Sequence, residues 1–292
     1  MHEFRGKTAV VTGAASGIGR ALAERFAKEG MQVVLADHDA PALERAAAEL
    51  ESAGAAVLAV PTDVSNGAAV AALAARAREK FGALHVVCNN AGIGGAGGPI
   101  WTLSENDWQW ALSVNLWGVI HGIRAFVPLL LEHGGAAHVV NTASIAGLAA
   151  PAFMGPYVAS KHAVVAISEV LARDLQAFGA RVRVSVLCPG FVRTNIADTE
   201  RHRPAHLRDA RGEDPAQQSI RQGVEQAVRK LVSEGKPASE VADHVFTAIR
   251  EDRFYVLPHS DLKGMVRDRL TDILDDRYPR FDPAQFIPER NR

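Results

Sequence analysis

Short runs rich in β-branched residues alternate with longer Ala/Leu/Arg/Glu stretches of helical period along most of the chain. The runs Lys7–Val11, Gln32–Ala36, Ala56–Val60, Leu84–Cys88, His138–Asn141 and Arg183–Leu187 predict strands. Between them, helical spacing predicts Ile18–Glu29, Pro41–Ala53, Ala68–Phe81, Glu105–Ile120 continuing to about Leu131, and Tyr157–Phe178. Proline suits the first turn of the second helix, where its missing N–H has no partner to lose. Strand–helix alternation of this regularity predicts an α/β fold, a doubly wound parallel sheet with helices on both faces. The pattern breaks after Pro189-Gly190. Residues from about 195 to 237 are polar and read as a loosely helical cap. Ser239–Arg250 then predicts an amphipathic helix, Phe254–Leu257 a last strand, and Leu262–Leu274 a helix in a tail that starts at about 258. No linker divides the chain, so residues 1–292 are expected to form one catalytic domain.

Composition narrows the classes of function. Of 292 residues, 48% are hydrophobic and 22% charged, enough for a large core, and the formal net charge of −1 offers no field for nucleic acid or an anionic membrane. Cys88 and Cys188, the two cysteines, each end an apolar run and read as buried hydrophobes rather than a disulfide. Eleven histidines are scattered, without a metal-binding spacing, so no metal is expected. The N-terminus runs directly into a strand without a secretory signal, and no uninterrupted apolar run reaches bilayer length, so a cytoplasmic protein is expected. The stretch Arg201–Arg211 mixes arginines with acids and reads as a solvated face rather than an anion site.

Three constellations carry chemistry. Thr12-Gly13-Ala14-Ala15-Ser16-Gly17-Ile18-Gly19 lies between the first strand and the first helix. Glycines there permit a tight turn and let backbone N–H groups approach a pyrophosphate at the helix N-terminus. No Gly-Lys-Ser/Thr follows, which disfavours a nucleotide triphosphatase. Asp37 ends the second strand, where a carboxylate can accept from adenosine ribose hydroxyls and repel a 2′-phosphate. His38 beside it softens that preference. Tyr157-Val158-Ala159-Ser160-Lys161 is the third, in a chain with only three tyrosines. On a helix the phenol and the ammonium share a face, and the ammonium is expected to lower the phenol pKa toward neutral, as a general acid/base for an alcohol proton requires. Ser144, just past the strand ending at Asn141, can donate to a carbonyl oxygen as charge develops there.

These residues together resemble the short-chain dehydrogenase/reductases, over nearly the whole chain and in the simple rather than the extended branch. The resemblance implies a Rossmann-like fold and a catalytic tetrad of Asn115, Ser144, Tyr157 and Lys161. It places the cofactor on Gly13, Ser16, Gly17, Ile18 and Gly19, with Asp37 at the ribose, Asp63-Val64 at the adenine and Asn90-Ala91-Gly92 at the central sheet. Lys161 would also bind the nicotinamide ribose, and Asn115 would hold a water in a proton relay. Pro189-Gly190 forms the next motif, after which the Val192 backbone and Thr194 would hold the carboxamide. The tail is longer than the family's minimal core.

The expected activity is therefore NAD(H)-dependent interconversion of a secondary alcohol and a ketone, with NADP(H) disfavoured by Asp37. By analogy the substrate pocket takes Ile93, Ile145, Ala150, Phe153, Met154, Phe191 and Ile196. This apolar set favours a hydrophobic aryl or alicyclic substrate over a sugar. Arg201 and Arg203 are expected at the surface. Two other readings stand beside this one: an NADPH-dependent biosynthetic ketoreductase, and a non-catalytic NADH-sensing regulator. The resemblance further implies a homotetramer or dimer through the helices Asp107–Leu131 and Tyr157–Phe178.

Overall fold

Every residue of the first strand, β1 (Thr8–Thr12), is buried, as befits a strand covered on both faces. The structure is a computed structural model and describes residues 1–209 and 215–281. After β1 follow α1 (Gly17–Lys28), β2 (Gln32–Asp37), α2 (Ala40–Ser52), β3 (Val57–Pro61), α3 (Gly67–Phe81) and β4 (Val86–Asn89). Next come α4 (Glu105–Leu112), α5 (Gly118–His133), β5 (Ala137–Thr142), α6 (Gly155–Ala177) and β6 (Val182–Leu187). The chain continues through α7 (Pro215–Ser233), α8 (Ala238–Arg250), β7 (Tyr255–Val256) and α9 (Lys263–Leu274). Predicted strands and helices agree with these bounds to within two residues.

The sheet has seven strands in the order β3-β2-β1-β4-β5-β6-β7, all pairs parallel. Successive strands build outward in both directions from β1 and β4. The order reverses between those two, and a crevice opens there at their carboxyl ends. Alternation along the strands sorts the core into two layers. Ala9, Val11, Val33, Leu35 and Cys88 pack with Leu22, Phe26, Leu43, Val245 and Ile249 of α1, α2 and α8. Val10, Val34, Val87 and Val139 face the other way, onto Leu73, Phe126, Leu130 and Leu175 of α3, α5 and α6. Both cysteines are buried and unpaired.

Three features differ from expectation. First, α4 and α5 are joined through a wider π-helical turn at Ser113–Trp117, which leaves no mark on hydrophobic spacing because the apolar face continues through it. By length and composition the helical run Glu105–His133 could cross a membrane, although polar residues such as Asn115 and Arg124 interrupt it and no uninterrupted apolar run within it reaches bilayer length. In this fold it is a layer of the sheet's cover, with Phe126, Val127 and Leu130 buried in the core. Second, the cap, which reads as loosely helical, forms defined turns and one long helix among its described residues. It holds 3-10 turns at Ile196–His202 and Ala205–Leu207, then the 19-residue α7. Third, the arginine stretch is not uniformly a solvated face. Arg203 is buried, Nη2 donating to Asp107 Oδ1 at 2.6 Å and Nη1 to Leu207 O at 3.1 Å. Its guanidinium lies 4.6 Å from the Trp110 ring centre. A guanidinium is tolerated there because a carboxylate and an aromatic face replace its water. Arg211 and the Pro/Arg-rich end of the tail, 282–292, lie outside the described residues.

Candidate active site

The glycine turn after β1 is shaped by backbone rather than side chains. Gly13 and Gly17 take left-handed φ of 67° and 55°, which favours glycine. Gly19 is required by proximity: a Cβ there would lie 2.0 Å from Gly13 O. The first N–H groups of α1, from Gly17 onward, are left without helical partners at the crevice, and Ser16 caps the helix with no side-chain bond of its own. Such a terminus suits an anion. Thr12, the first residue of the glycine motif, pins the opposite wall. Its Oγ1 accepts from Asn90 N at 2.9 Å and Ala91 N at 3.1 Å, and Asn90 Nδ2 donates to Thr12 O at 3.0 Å. Deeper in the sheet, Asn89 Nδ2 donates to Asn141 Oδ1 at 2.9 Å, and Asn141 Nδ2 to Ser168 Oγ at 3.0 Å.

Asp37 stands at the end of β2. It accepts from Ala15 N at 3.0 Å and Asp39 N at 3.1 Å, with His38 Nδ1 at 3.2 Å. Burial pushes the Asp37 carboxyl up, but the bonds from His38, Asp39 and Ala15 outweigh it and hold the group below the usual carboxylate range. A carboxylate is thus kept ionised beside the turn. Asp63 is held by Ser65, whose N–H and Oγ donate to Oδ1 at 2.9 and 2.7 Å. The cap reaches this end too, since His202 sets its ring edge-on to His38 with centroids 4.4 Å apart.

Tyr157 and Lys161 lie one turn apart near the start of α6, where Pro156 occupies the first turn. Ser144 caps the short turn after β5, its Oγ accepting from Ala146 N at 3.1 Å and lying 3.4 Å from Pro189 O. Burial raises the Tyr157 phenol pKa, and the hydrogen bond with Ser144 offsets this only partly. Lys161 Nζ donates to Thr142 O at 3.0 Å and lies 5.6 Å from the centre of the Tyr157 ring. Burial lowers its pKa to about 8. The expectation that Lys161 draws the phenol toward neutral is therefore reversed in the protein by itself. Desolvation by burial opposes the charged form of each group.

Asn115 sits in the π turn with its amide committed to Ile93: Oδ1 accepts from Ile93 N at 2.8 Å, and Nδ2 donates to Ile93 O at 3.0 Å. One cavity of about 1620 Å³ joins the glycine turn to Tyr157. Gly13, Ser16, Gly17, Ile18, Asp37, Asp63, Val64, Asn90, Ala91 and Gly92 line it, as do Ser144, Tyr157, Lys161, Pro189, Gly190, Val192 and Thr194. Ile93, Ile145, Met154, Phe191 and Ile196 line it as well. Gly19 and Asn115 are buried behind the wall. Phe153 and Ala150 are corrections: neither reaches the cavity. Phe153 adopts φ 63° and turns its ring toward Phe281 of the tail, centroids 6.0 Å apart, and Ala150 is exposed. Leu262 and Met265 also line the cavity from the tail, although nothing in their spacing ties them to a distant loop.

The chain belongs to the short-chain dehydrogenase family, whose model, "short chain dehydrogenase", matches residues 7–205. It is an oxidoreductase that binds a nicotinamide cofactor, and the glycine turn, the Asp37 carboxylate and the joined cavity fit such a group. The chain is 41% identical over 274 residues to the 1-deoxy-11-beta-hydroxypentalenate dehydrogenase of Streptomyces exfoliatus, covering 94% of this chain and 90% of the relative. It is 38% identical over 281 residues to the CLA biosynthesis dehydrogenase/reductase of Lactiplantibacillus plantarum, covering 96% and 97%. A short-chain dehydrogenase/reductase from Burkholderia phymatum, solved in complex with NAD, superposes with TM-score 0.92 at 50% identity, covering 97% of this chain and 99% of that one.

Proposed function

We propose that this protein interconverts a secondary alcohol and a ketone with NAD(H), using Tyr157 as the proton-transferring group. The observation that carries the reading is that Ser144, Tyr157 and Lys161 meet in the same cavity as the glycine turn and Asp37. The bound nicotinamide supplies the hydride chemistry. Gly13, Ser16, Gly17, Ile18 and Gly19 form its pyrophosphate cradle, Asp37 takes the ribose, and Asp63 and Val64 flank the adenine. Asn90, Ala91 and Gly92 form the opposite wall. Pro189 and Gly190 lead into the Val192 backbone and Thr194, which hold the carboxamide. Lys161 binds the second ribose. Tyr157 gives its phenolic proton to a ketone oxygen, or takes one from an alcohol, while Ser144 steadies that oxygen. Asn115 clamps Ile93, so any part it has in a proton relay runs through its main chain.

The substrate is hydrophobic and bulky, aryl or alicyclic. A cavity of 1620 Å³ exceeds the roughly 300–1,000 Å³ of an ordinary ligand pocket, leaving room for cofactor and a second large molecule. Ile93, Ile145, Met154, Phe191 and Ile196 supply apolar walls, and residues 195–237 form the cap of a single catalytic domain. The hydroxypentalenate named for the Streptomyces relative supports a hydroxylated substrate of this kind. A panel of secondary alcohols assayed with NAD and with NADP tests the reading. No turnover with any of them, despite NADH binding, points instead to a sensing role.

Asp37 makes NAD(H) the better cofactor. Unit charges 4 Å apart interact by about 4 kcal/mol at an effective dielectric near 20. His38 at 3.2 Å from the carboxylate offsets part of that repulsion. The net preference is about 1–3 kcal/mol, roughly 5- to 150-fold in kcat/KM. Asp37→Ala narrows the ratio by weakening NAD and ceasing to repel NADP. An unchanged ratio in steady-state assays, or a wild type faster with NADP, overturns the assignment.

The protein assembles as a homotetramer or dimer through α4, α5 and α6. Trp117 in the turn between α4 and α5, Val170 on α6 and Phe178 just past the end of α6 are 48%, 54% and 88% exposed, large apolar groups that a partner face would cover. Light scattering at micromolar concentration should report a dimer or tetramer, and a monomer there sinks the assembly.

A further inference from the structure

Between β6 and the cap, the segment 189–194 forms a ledge along the cavity. Its Pro189–Gly190 peptide is held from two sides. Pro189 O accepts from Ile145 N at 2.8 Å, and Ser144 Oγ lies 3.4 Å away, so this carbonyl is tied to the loop that carries Ser144. The N–H of the same peptide is held from the tail: Gly190 N donates to His259 Nδ1 at 3.0 Å. His259 Nε2 lies 2.9 Å from Phe191 O. Because Nδ1 accepts, the ring is neutral with its proton on Nε2, which donates to Phe191 O. One imidazole therefore spans a donor and an acceptor of neighbouring residues. Phe191 O also accepts from Lys236 N at 3.0 Å.

The fit is close. His259 is only 7% exposed, although it belongs to a tail whose helix α9 has no buried residue. A Cβ on Gly190 would come within 2.4 Å of Leu262 Cδ1 and 3.0 Å of His259 Cγ. Glycine at 190 thus lets the tail lie directly on the ledge. Further along, Thr194 packs so tightly on the glycine turn that a Cβ on Gly17 would lie 2.9 Å from Thr194 Cγ2. The ledge is therefore pinned at one end by His259 and at the other by the turn. His259 and Leu262 lie beyond residues 7–205, the part that matches the family.

We propose that His259 is a positioning residue for hydride transfer. It does not line the cavity. It sets the height of the ledge on which the Val192 backbone and Thr194 hold the nicotinamide, and through Pro189 it keeps the Ser144 hydroxyl aimed at the reacting oxygen. A displacement of about 1 Å in such a support can cost on the order of 100-fold in rate. The tail thereby acquires a catalytic purpose that the family core leaves unassigned. The inference rests on the proposed roles of Val192, Thr194 and Ser144, and on the preference for NAD only for the choice of ligands in its test.

The test compares wild type with His259→Leu, His259→Asn and His259→Gln. It measures kcat, the primary deuterium isotope effect with alcohol labelled at the carbinol carbon, and the Kd values of NADH and of ADP-ribose, which lacks the nicotinamide. Should the wild type turn over better with NADP(H), the NAD reading fails in the wild type alone, and the 2′-phosphorylated pair of ligands serves for the variants. His259→Leu should lose about 10- to 100-fold in kcat, with an enlarged isotope effect. NADH should bind several-fold more weakly, since about one or two hydrogen bonds' worth of order is lost, while ADP-ribose stays within about twofold. His259→Gln, with acceptor and donor on one side chain, should recover most of kcat. His259→Asn, too short to serve both groups, should lie between. If His259→Leu does not fold, the Gln and Asn variants decide. A kcat within about twofold of wild type in the Asn variant, or parallel weakening of NADH and ADP-ribose in any variant, overturns the proposal.

Discussion

Tyr157→Phe should lose at least about 100-fold in kcat while binding NADH within about twofold of wild type, because general acid/base groups contribute roughly 10²- to 10⁴-fold. The substitution removes one oxygen and leaves the ring that packs beside Ser144 and Lys161. Tyr157 is partly buried, and desolvation raises its pKa, so the phenol remains protonated in the protein by itself. That is the form needed to give a proton to a ketone. Alcohol oxidation needs the phenolate, and positive charge must then oppose desolvation. Lys161 Nζ, 5.6 Å from the ring centre, is placed to supply it. Burial has lowered the Lys161 pKa to about 8, so its charge is present at neutral pH and is lost on going alkaline. Rapid-mixing turnover beside NADH titration checks the split. A variant that keeps more than about a tenth of wild-type kcat rules out Tyr157 as the acid/base.

How much of this was legible in the sequence follows from the range over which each signal acts. Strands buried on both faces must be apolar throughout, and helices on the sheet must repeat with a period of 3.6, so the elements from β1 to β6 and the α/β class were readable. The glycine turn and the Tyr157–Lys161 pair were readable because each lies within one turn of chain. Residues that act across the fold were not. Thr12 is an ordinary strand-end threonine until Asn90 and Ala91 come within 3.1 Å of its hydroxyl. His259 is one of eleven histidines until the tail returns to Gly190. The sign of the Tyr157 shift was misjudged for a related reason: spacing shows which charge is near, but not how much water has been excluded from both. Phe153 was placed in the pocket by analogy, and its positive φ turned the ring toward the tail instead.

Asp107→Ala should destabilise the protein by about 3–5 kcal/mol, the range for breaking a buried ion pair by removing one partner. Asp107 and Arg203 have side chains only 2% and 1% exposed, and their 2.6 Å contact joins α4 to the cap. Without the carboxylate the guanidinium stays buried beside Trp110 with less compensation. Glu200 Oε1 lies 2.8 Å from Arg203 Nε but is 62% exposed and not aligned as a hydrogen bond, so it recovers only part of the loss. The substitution also removes half of a capping box. Asp107 Oδ2 accepts from Ser104 N at 3.0 Å, and loss of a cap typically costs about 1 kcal/mol. The expected drop in Tm is at least about 5 °C by the usual scaling for large domains. Because Ile93, Trp110 and Leu207 pack at the same junction, the cap wall of the cavity should loosen as well. Substrate KM should rise several-fold, with NADH Kd nearly unchanged, since the glycine turn lies on another wall. Asp107→Asn keeps the cap of α4 and should fall between. Replacing both partners by apolar residues, Asp107→Leu with Arg203→Met, should recover much of the stability, because the cost comes from the unpaired charge rather than from the lost contact. Calorimetry of the four proteins decides: a shift below about 1 °C in Asp107→Ala means that the pair does not hold the cap.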